Sequence, residues 1–228
     1  MKLYDYGGAP NPRRVKIFLA EKGVEVELVN CDMTKGEHKT PEFLKKNPSG
    51  KIPVLELEDG RCLGESVAIC RYIEGVHPEP NLMGRDPFEI GHIEMRNRHI
   101  ETEFWSQVGV SWVNGPIVGA MGIFKQIPEA KVASDENVAK YCERLNTELE
   151  AAAYVAGERF TIADITLLTA IDFATSLVGL TIDESNANLW RWHALEEIEH
   201  KGVAYDTWLH ATRAWPRWQR WKVKALMM

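Results

Sequence analysis

Residues 3–28 read LYDYGGAPNPRRVKIFLAEKGVEVEL, and this stretch decides the fold of the first part of the chain. Leu3 to Tyr6 has the pattern of a strand. Pro12 to Lys22 has the 3.6-residue period of a helix, with a proline near its start and Gly23 just beyond its end. Val24 to Leu28 alternates as a second strand. A strand–helix–strand unit this short predicts parallel strands and a right-handed crossover.

The following residues extend this unit into a complete domain. Pro41 to Asn47 is predicted as a short helix, and Ile52 to Leu57 as a third strand. Asp59-Gly60 predicts a hairpin turn, after which Arg61 to Leu63 pairs back antiparallel. Ser66 is predicted to cap a final helix that runs to Gly75. The order predicts an α/β thioredoxin-like domain over residues 1–77.

The remainder of the chain has a helical pattern. His77-Pro78-Glu79-Pro80 begins a predicted linker, residues 78–87, and residues 88–228 are predicted as an all-α helical bundle domain. Long helices are expected from Phe88 to about Gly109 and from Asn137 to Ala156. Thr161 and Asp164 have the spacing of a capping box before an apolar run. The tail is rich in tryptophan, with Trp208, Trp215, Trp218 and Trp221.

Charge and composition exclude several classes of function. The net charge is −6, and the first 77 residues carry twelve basic and twelve acidic side chains, so no basic surface for nucleic acid is expected. No apolar run is long enough to span a membrane, and no leader pattern precedes the first strand, so a cytoplasmic protein is expected. Cys31, Cys62, Cys70 and Cys142 lack metal-ligand spacing. They are predicted to be buried thiols, and no metal is expected.

Four segments together resemble the cytosolic glutathione S-transferase family. They are Tyr4 to Gly23, Asn47 to Leu55, the pair Glu65-Ser66, and the Thr161–Asp164 box. Each segment alone is weak evidence, but the order and spacing of the four segments are similar to those of the family along essentially the whole chain. The similarity is greatest to bacterial members whose first loop reads Ser/Thr-Pro-Asn. The resemblance implies glutathione as a co-substrate, no further cofactor, and a homodimer, with Arg71 and Tyr72 at its interface.

The resemblance also implies a glutathione-binding set. Ile52-Pro53 matches the family's cis-proline, which would present the Ile52 backbone to the cysteinyl part of the ligand. Ser66 would bind the γ-glutamyl carboxylate, and Glu65 the γ-glutamyl ammonium. His38 and Lys51 are the expected partners of the glycyl carboxylate. The alternatives are a plain helix cap for Glu65-Ser66 and solvated loop side chains for His38 and Lys51.

The residues of the first loop bear on how the chain could activate a thiol. Such an enzyme must turn a thiol with an ordinary pKa of about 8.5 into a thiolate near neutral pH. The similar enzymes use a serine or threonine at the position of Ala9, and a methyl group cannot donate a hydrogen bond. Asn11 matches an asparagine of the bacterial relatives and is the first candidate donor, with Tyr6 second. The alternatives are helix capping for Asn11 and a core position for Tyr6.

Three functions remain open from the sequence. The first is a glutathione transferase that conjugates or dehalogenates a small hydrophobic electrophile. Its co-substrate site is expected in the helical half, at Trp105, Val108 and Trp112, with Met121 and Phe124 as further candidates. The second is a glutathione-dependent disulfide reductase or peroxidase. The third is a non-catalytic binding module, which Ala9 favours and the intact Glu65-Ser66 pair opposes.

Overall fold

We describe the protein from a computed structural model, which defines residues 1–182 and Leu189. The chain divides into two compact units, Met1–Trp192 and His193–Met228, and all the described residues lie in the first. The predicted tryptophan-rich tail, with Trp208, Trp215, Trp218 and Trp221, lies outside the described residues. The predicted domain boundaries at residues 77, 78 and 87 stay a prediction.

A four-stranded sheet organises the first 76 residues, in the order β2-β1-β3-β4. The first two strands, β1 (Lys2–Asp5) and β2 (Glu27–Asn30), pair in parallel around helix α1 (Pro10–Glu21). Strand β3 (Val54–Glu56) pairs antiparallel with both β1 and β4 (Cys62–Leu63). Helix α2 (Pro41–Lys46) precedes β3, and α3 (Ser66–Val76) follows β4. This is the predicted thioredoxin-like arrangement.

The second strand begins later than the sequence predicts. Only Glu27 to Asn30 pair with β1, because β1 itself begins at Lys2 and leaves the preceding residues without a partner strand. The Val24 N–H instead donates to the Leu19 carbonyl and helps to close the end of α1. Leu28, predicted as part of this alternating strand, is 56% exposed. The alternation of valines here reflects packing at a helix end.

The second half of the described chain is helical. Helices α4 (Pro87–His99) and α5 (Ser106–Val113) are joined by a π-helical segment, Ile100–Trp105, so that one long helical element results. Then come α6 (Pro116–Met121), α7 (Pro128–Glu148) and α8 (Ile162–Phe173), the last followed by a second π-helical segment, Ala174–Val178. Within the described residues, no helix has the length and apolar content needed to cross a membrane.

Helix α7 departs from its predicted range of Asn137 to Ala156. It begins nine residues earlier, with Pro128 at its first position, where a missing N–H costs nothing. It ends at Glu148, and further on Tyr154 and Gly157 form a tight backbone bridge in which Gly157 has a φ of 128°. The predicted capping box at Thr161 and Asp164 is confirmed at the start of α8.

Three apolar clusters form the core of the described residues, and the two larger ones share helix α8. One packs α1 and α3 on the sheet and reaches into α8 through Ile162 and Ile165. The other lies among the helices and includes Phe104, Val108 and Leu145. Arg13, near the beginning of α1, pairs with Asp172 on α8, so the beginning of α1 lies directly against the helical half.

Candidate active site

The first turn of α1 offers one backbone donor. Ala9 is the residue before the helix and has extended backbone angles, with ψ at 130° and no side-chain cap. Pro10 and Pro12 have no N–H group, so Asn11 carries the only backbone N–H among residues 10–12. Asn11 is the second residue of the helix and does not cap it. An anion at this helix start would therefore meet Asn11 through its backbone as well as its side chain.

The first turn of α3 is shaped by an unusual residue. Glu65, directly before the helix, has φ 62° and ψ 116°, and in the described chain it is the only non-glycine residue with positive φ. Such a backbone costs about 1–3 kcal/mol and tends to occur where a ligand is held. Ser66 is the first helical residue and is buried, so the prediction that Ser66 caps the helix is wrong and Glu65 has that position. The side chain of Glu65 is exposed.

The two helix starts come together at Ser66. Its hydroxyl donates to Asn11 Oδ1 at 3.5 Å, although the two residues lie 55 positions apart. Ser66 Oγ in turn accepts a hydrogen bond from the Arg14 guanidinium at 2.9 Å. Asn11 Nδ2 makes no hydrogen bond within the part of the chain that the structure describes. The arrangement leaves a donor free between the positive ends of two helices.

Arg14 is a functional candidate that the sequence reasoning missed. It is 2% exposed, donates to Glu101 Oε1 at 3.0 Å, and lies under the Trp105 ring, 4.3 Å from its centre. Burial lowers the pKa of the Arg14 guanidinium from its ordinary value, and the Glu101 carboxylate opposes this shift. A charged side chain is rarely buried, but Arg14 lies four residues before the buried Phe18, on the apolar face of α1. That spacing was the available signal.

The remaining predicted ligand contacts lie on two loops. The Ile52–Pro53 bond is cis, as the resemblance implied, and Pro53 is buried beside the half-buried Ile52. Lys51 is exposed, and its carbonyl accepts from Asn47 Nδ2 at 2.8 Å. His38 is half-buried, and its Nδ1 atom finds no hydrogen-bond partner among the described residues.

Lys39 and Tyr6 make further contacts near these loops. Lys39, which the sequence reasoning did not select, reaches the Gly50 carbonyl at 3.1 Å, on the loop before Ile52. The carbonyl of Tyr6, the second candidate donor, accepts the Ala9 N–H at 3.0 Å and so closes the first loop. The Tyr6 ring is half-buried.

Comparison with known proteins identifies the family. Residues 1–75 match the family model described as "Glutathione S-transferase, N-terminal domain". Glutathione S-transferase 2 of Saccharomyces cerevisiae is 38% identical over 196 residues, which cover 85% of this chain and 84% of the relative. The chain belongs to the cytosolic glutathione S-transferase family. The crystal structure of Gtt2 from S. cerevisiae agrees, with a TM-score of 0.80, 36% identity, and coverage of 86% and 96% of the two chains.

Not every relative of this transferase-family chain is named a transferase. Elongation factor 1-gamma 2 of Oryza sativa subsp. japonica is 36% identical over 169 residues, and the matched part covers 73% of this chain and 39% of the relative. The chain thus spans less than half of that protein. The family fold itself, a thioredoxin-like domain followed by helices, is shared with the solved transferase structures.

A second family model matches residues 98–228 and is described as "Predicted metal-dependent hydrolase". Residues 98–182 of that range form the helices given above. In the described part of the chain, no group of three or more His, Cys, Asp or Glu side chains could hold a metal ion. The described residues therefore do not fit a metal centre, and the rest of the matched range lies outside them.

The predicted co-substrate residues have different environments. Trp105 is half-buried against Arg14, and Trp112 is half-buried with its ring edge-on to Phe173, the centres 5.4 Å apart. Val108 has no exposed surface and packs in the helical core. Its spacing on the helix turns Val108 inward, so its contact with a co-substrate stays a prediction that this burial does not favour. Met121 and Phe124 are both more than half exposed.

The four cysteines of this transferase-family chain differ in burial. Cys31, Cys70 and Cys142 are buried, as predicted, whereas Cys62 is only partly buried. Burial raises the pKa of the Cys70 thiol to about 12, and that of the Cys142 thiol also to about 12. These two thiols stay protonated at neutral pH and cannot act as nucleophiles there.

Proposed function

We propose that this protein is an active glutathione transferase of the cytoplasm, which makes the glutathione thiolate and directs it at a small hydrophobic electrophile. One observation carries the proposal: Asn11, Ser66 and Arg14 meet where α1 and α3 begin. Membership of the family makes glutathione the expected co-substrate.

The proposed binding mode assigns a role to each end of the tripeptide. The γ-glutamyl carboxylate lies at the start of α3, where it accepts from the Ser66 hydroxyl and from free N–H groups of the first turn. The exposed Glu65 carboxylate pairs with the γ-glutamyl ammonium. The Ile52 backbone, held beside Pro53, pairs with the cysteinyl residue.

The glycyl carboxylate needs a cation, and the loops offer more than one. His38 and Lys51 are the proposed partners. The unsatisfied Nδ1 atom of His38 supports this role, because a buried nitrogen without a partner is costly. Lys39 is a further cation on the same pair of loops, through its contact with the Gly50 carbonyl.

The proposed catalytic step is stabilisation of the thiolate. Lowering the pKa of a thiol by two units requires about 2.7 kcal/mol of preferential stabilisation of the anion. A hydrogen bond to a charged acceptor contributes about 1.5–3 kcal/mol, and a helix start adds about 0.3–1 kcal/mol. Asn11 supplies both through Nδ2 and its backbone N–H, while Ala9 contributes no donor and Tyr6 remains the second candidate. The thiolate then attacks an electrophile that lies against Trp105 and Trp112.

Binding and conjugation measured together test this function. Calorimetric titration should detect glutathione binding to the wild-type protein, and Ser66→Ala should weaken it about tenfold, since a hydrogen bond to a carboxylate is lost. Ser49→Ala, on the exposed loop before the cis-proline, is the matched control. Conjugation of an aryl halide should accompany binding. Absence of binding to the wild-type protein would contradict the proposal.

Two other functions have a specific observation in their favour. Ala9 lacks the hydroxyl of related enzymes, which favours a glutathione-dependent disulfide reductase or peroxidase; a disulfide substrate would then turn over while aryl halides would not. The similarity to a protein named elongation factor favours a non-catalytic binding module. If the chain is such a module, it should bind glutathione weakly or not at all and should turn over neither aryl halides nor a disulfide.

A homodimer is part of the proposal. Arg71 on α3 pairs with Glu94 on α4 at 2.5 Å, beside the half-buried Tyr72. Phe88 and Met95, one heptad apart on α4, are 82% and 44% exposed and would be covered by a second copy. Light scattering after gel filtration should give twice the mass of the chain.

A further inference from the structure

The Arg14 guanidinium contacts residues of both proposed substrate sites. On one side it donates to Ser66 Oγ at 2.9 Å, where the glutathione carboxylate is proposed to bind. On the other side the Trp105 ring, a proposed wall of the co-substrate site, lies over it at 4.3 Å. Glu101 Oε1 accepts from the same guanidinium at 3.0 Å. These contacts join α1, α3 and the helical half.

The shape of the guanidinium links these contacts. It is planar and rigid, so its face can stack on a ring while its edge donates in fixed directions. The guanidinium carbon lies over the Trp105 ring, and one Nη atom donates to both Ser66 and Glu101. Glu101 lies four residues before Trp105 on the same π-helical segment and also accepts from Arg98 at 3.1 Å, which fixes that turn. A shift of the ring therefore shifts the donor to Ser66.

The hydrogen bond to Ser66 has a direction that matters for an anion. Because Ser66 Oγ accepts from Arg14, its own proton must point elsewhere, and it points toward Asn11. Arg14 thereby fixes the orientation of the Ser66 hydroxyl, whose one proton a bound carboxylate would take over from Asn11 Oδ1. The Trp105 ring also covers the guanidinium face, which keeps water away and strengthens the bond at its edge.

We propose that Arg14 is a positioning residue that couples the two substrate sites, by tying the orientation of Trp105 to the orientation of the Ser66 hydroxyl. The inference rests on the proposed glutathione-binding function. The coupling predicts an effect that simple packing does not. The Trp105 ring, which does not touch glutathione, changes the affinity for glutathione, and it does so only through Arg14.

A double-mutant cycle tests the coupling. Glutathione affinity is measured by calorimetry for the wild-type protein, Trp105→Leu, Arg14→Lys and the double variant. Near-ultraviolet circular dichroism and thermal melting confirm that each variant is folded. Trp105→Leu and Arg14→Lys should each weaken glutathione binding about fivefold to tenfold. The double variant should bind glutathione at least as tightly as the single variant with the lower affinity. Lysine keeps the charge but loses the planar stack.

Two further variants separate coupling from general loss of packing. Trp105→Phe keeps a ring over the guanidinium and should restore binding to within about twofold of the wild type. Tyr154→Leu removes a ring that lies against Phe160, not Arg14, and should change glutathione affinity by less than about twofold.

The outcomes distinguish the proposed coupling from the proposed glutathione-binding function on which it rests. A wild-type protein that does not bind glutathione overturns both. If the wild-type protein binds glutathione and Trp105→Leu changes the affinity by less than twofold, the coupling alone is overturned. The coupling is also overturned if the effects of the two single variants on affinity multiply in the double variant. If Arg14→Lys fails to fold, Glu101→Gln takes its place in the cycle, since it keeps an acceptor for Arg14 and should show the same non-additivity with Trp105→Leu.

Discussion

At the scale of single residues, the proposed chemistry depends on where donors remain free. The two prolines that flank Asn11 remove backbone donors from the start of α1, so that Asn11 carries the only backbone N–H among residues 10–12. Ala9, directly before them, is a position where a single change could add a donor. These residues make the site sensitive to substitutions that barely alter its shape.

Ala9→Ser should increase activity. The new hydroxyl lies next to the proposed thiolate and can donate a hydrogen bond to it. We expect a lower pKa of the bound thiol and a several-fold higher kcat/KM, measured from pH–rate profiles. Ala9→Val, which adds volume without a donor, is the control. Equal profiles for Ala9→Ser and wild type would contradict the role given to this position.

Glu65 should show a conflict between stability and binding. Its φ of 62° is unfavourable for any side chain, so Glu65→Gly should raise the free energy of unfolding by about 1 kcal/mol while glutathione affinity falls at least tenfold. Glu65→Gln keeps the backbone cost and should lose affinity without gaining stability. Urea denaturation and calorimetric titration measure the two quantities. Retained affinity in both variants would refute the contact with the γ-glutamyl ammonium.

At the scale of elements, the segment between α3 and α4 is held by a buried ion pair. The Lys22 ammonium, fully buried at the end of α1, pairs with Glu74 Oε2 at 2.5 Å and donates to the Pro78 carbonyl at 3.3 Å. Glu74 Oε1 accepts from the backbone N–H groups of Leu82 and Met83 at 3.1 and 3.3 Å. One carboxylate thus fixes α1 and the connecting segment to α3.

Glu74→Gln should lower the free energy of unfolding by about 3–5 kcal/mol, because it leaves the Lys22 ammonium buried without its counter-charge. Chemical denaturation measures the change. Asp59→Asn breaks the exposed Asp59–Arg61 pair and should cost less than about 1 kcal/mol. Equal costs for the two variants would show that burial does not govern the strength of these pairs.

Element boundaries show what sequence reasoning can reach. The capping box at Thr161 was found because its signal is local, a hydroxyl and a carboxylate three residues apart. Arg14 was missed because its partners Ser66 and Glu101 lie 52 and 87 positions away, and only the assembled fold brings them together. The second strand was misplaced because its pairing depends on where β1 begins. Local chemistry was predictable, and long-range pairing was not.

At the scale of the whole molecule, the described chain is fastened by carboxylate–arginine contacts between distant segments. Arg159, in the segment before α8, donates to Glu89 Oε1 on α4 at 2.7 Å and to Asn81 Oδ1 at 2.8 Å. The hydrogen bond from Arg159 holds the pKa of the Glu89 carboxyl below its ordinary value. The stability of this contact should therefore depend on pH.

Glu89→Gln should be less stable than the wild type by about 1 kcal/mol at pH 7. Because the pKa of Glu89 is lower in the folded state, its contribution is complete above the ordinary glutamate pKa of about 4.3 and is lost as the pH falls through the lower folded value. The two unfolding curves should converge in acid. Glu58→Gln, at a 92% exposed position, should show no such convergence. A constant difference for Glu89→Gln down to pH 2 would contradict the assignment.

The central claim, that Asn11 makes the glutathione thiolate, is tested most directly by ultraviolet difference spectroscopy of bound glutathione across pH. The wild-type protein should show thiolate absorbance well below the ordinary thiol pKa of about 8.5, and Asn11→Ala should lose it while still binding glutathione. Asn137→Ala, an asparagine on α7, should behave as the wild type. Bound glutathione that titrates as a free thiol in the wild-type protein, or an early thiolate that survives Asn11→Ala, would contradict the account.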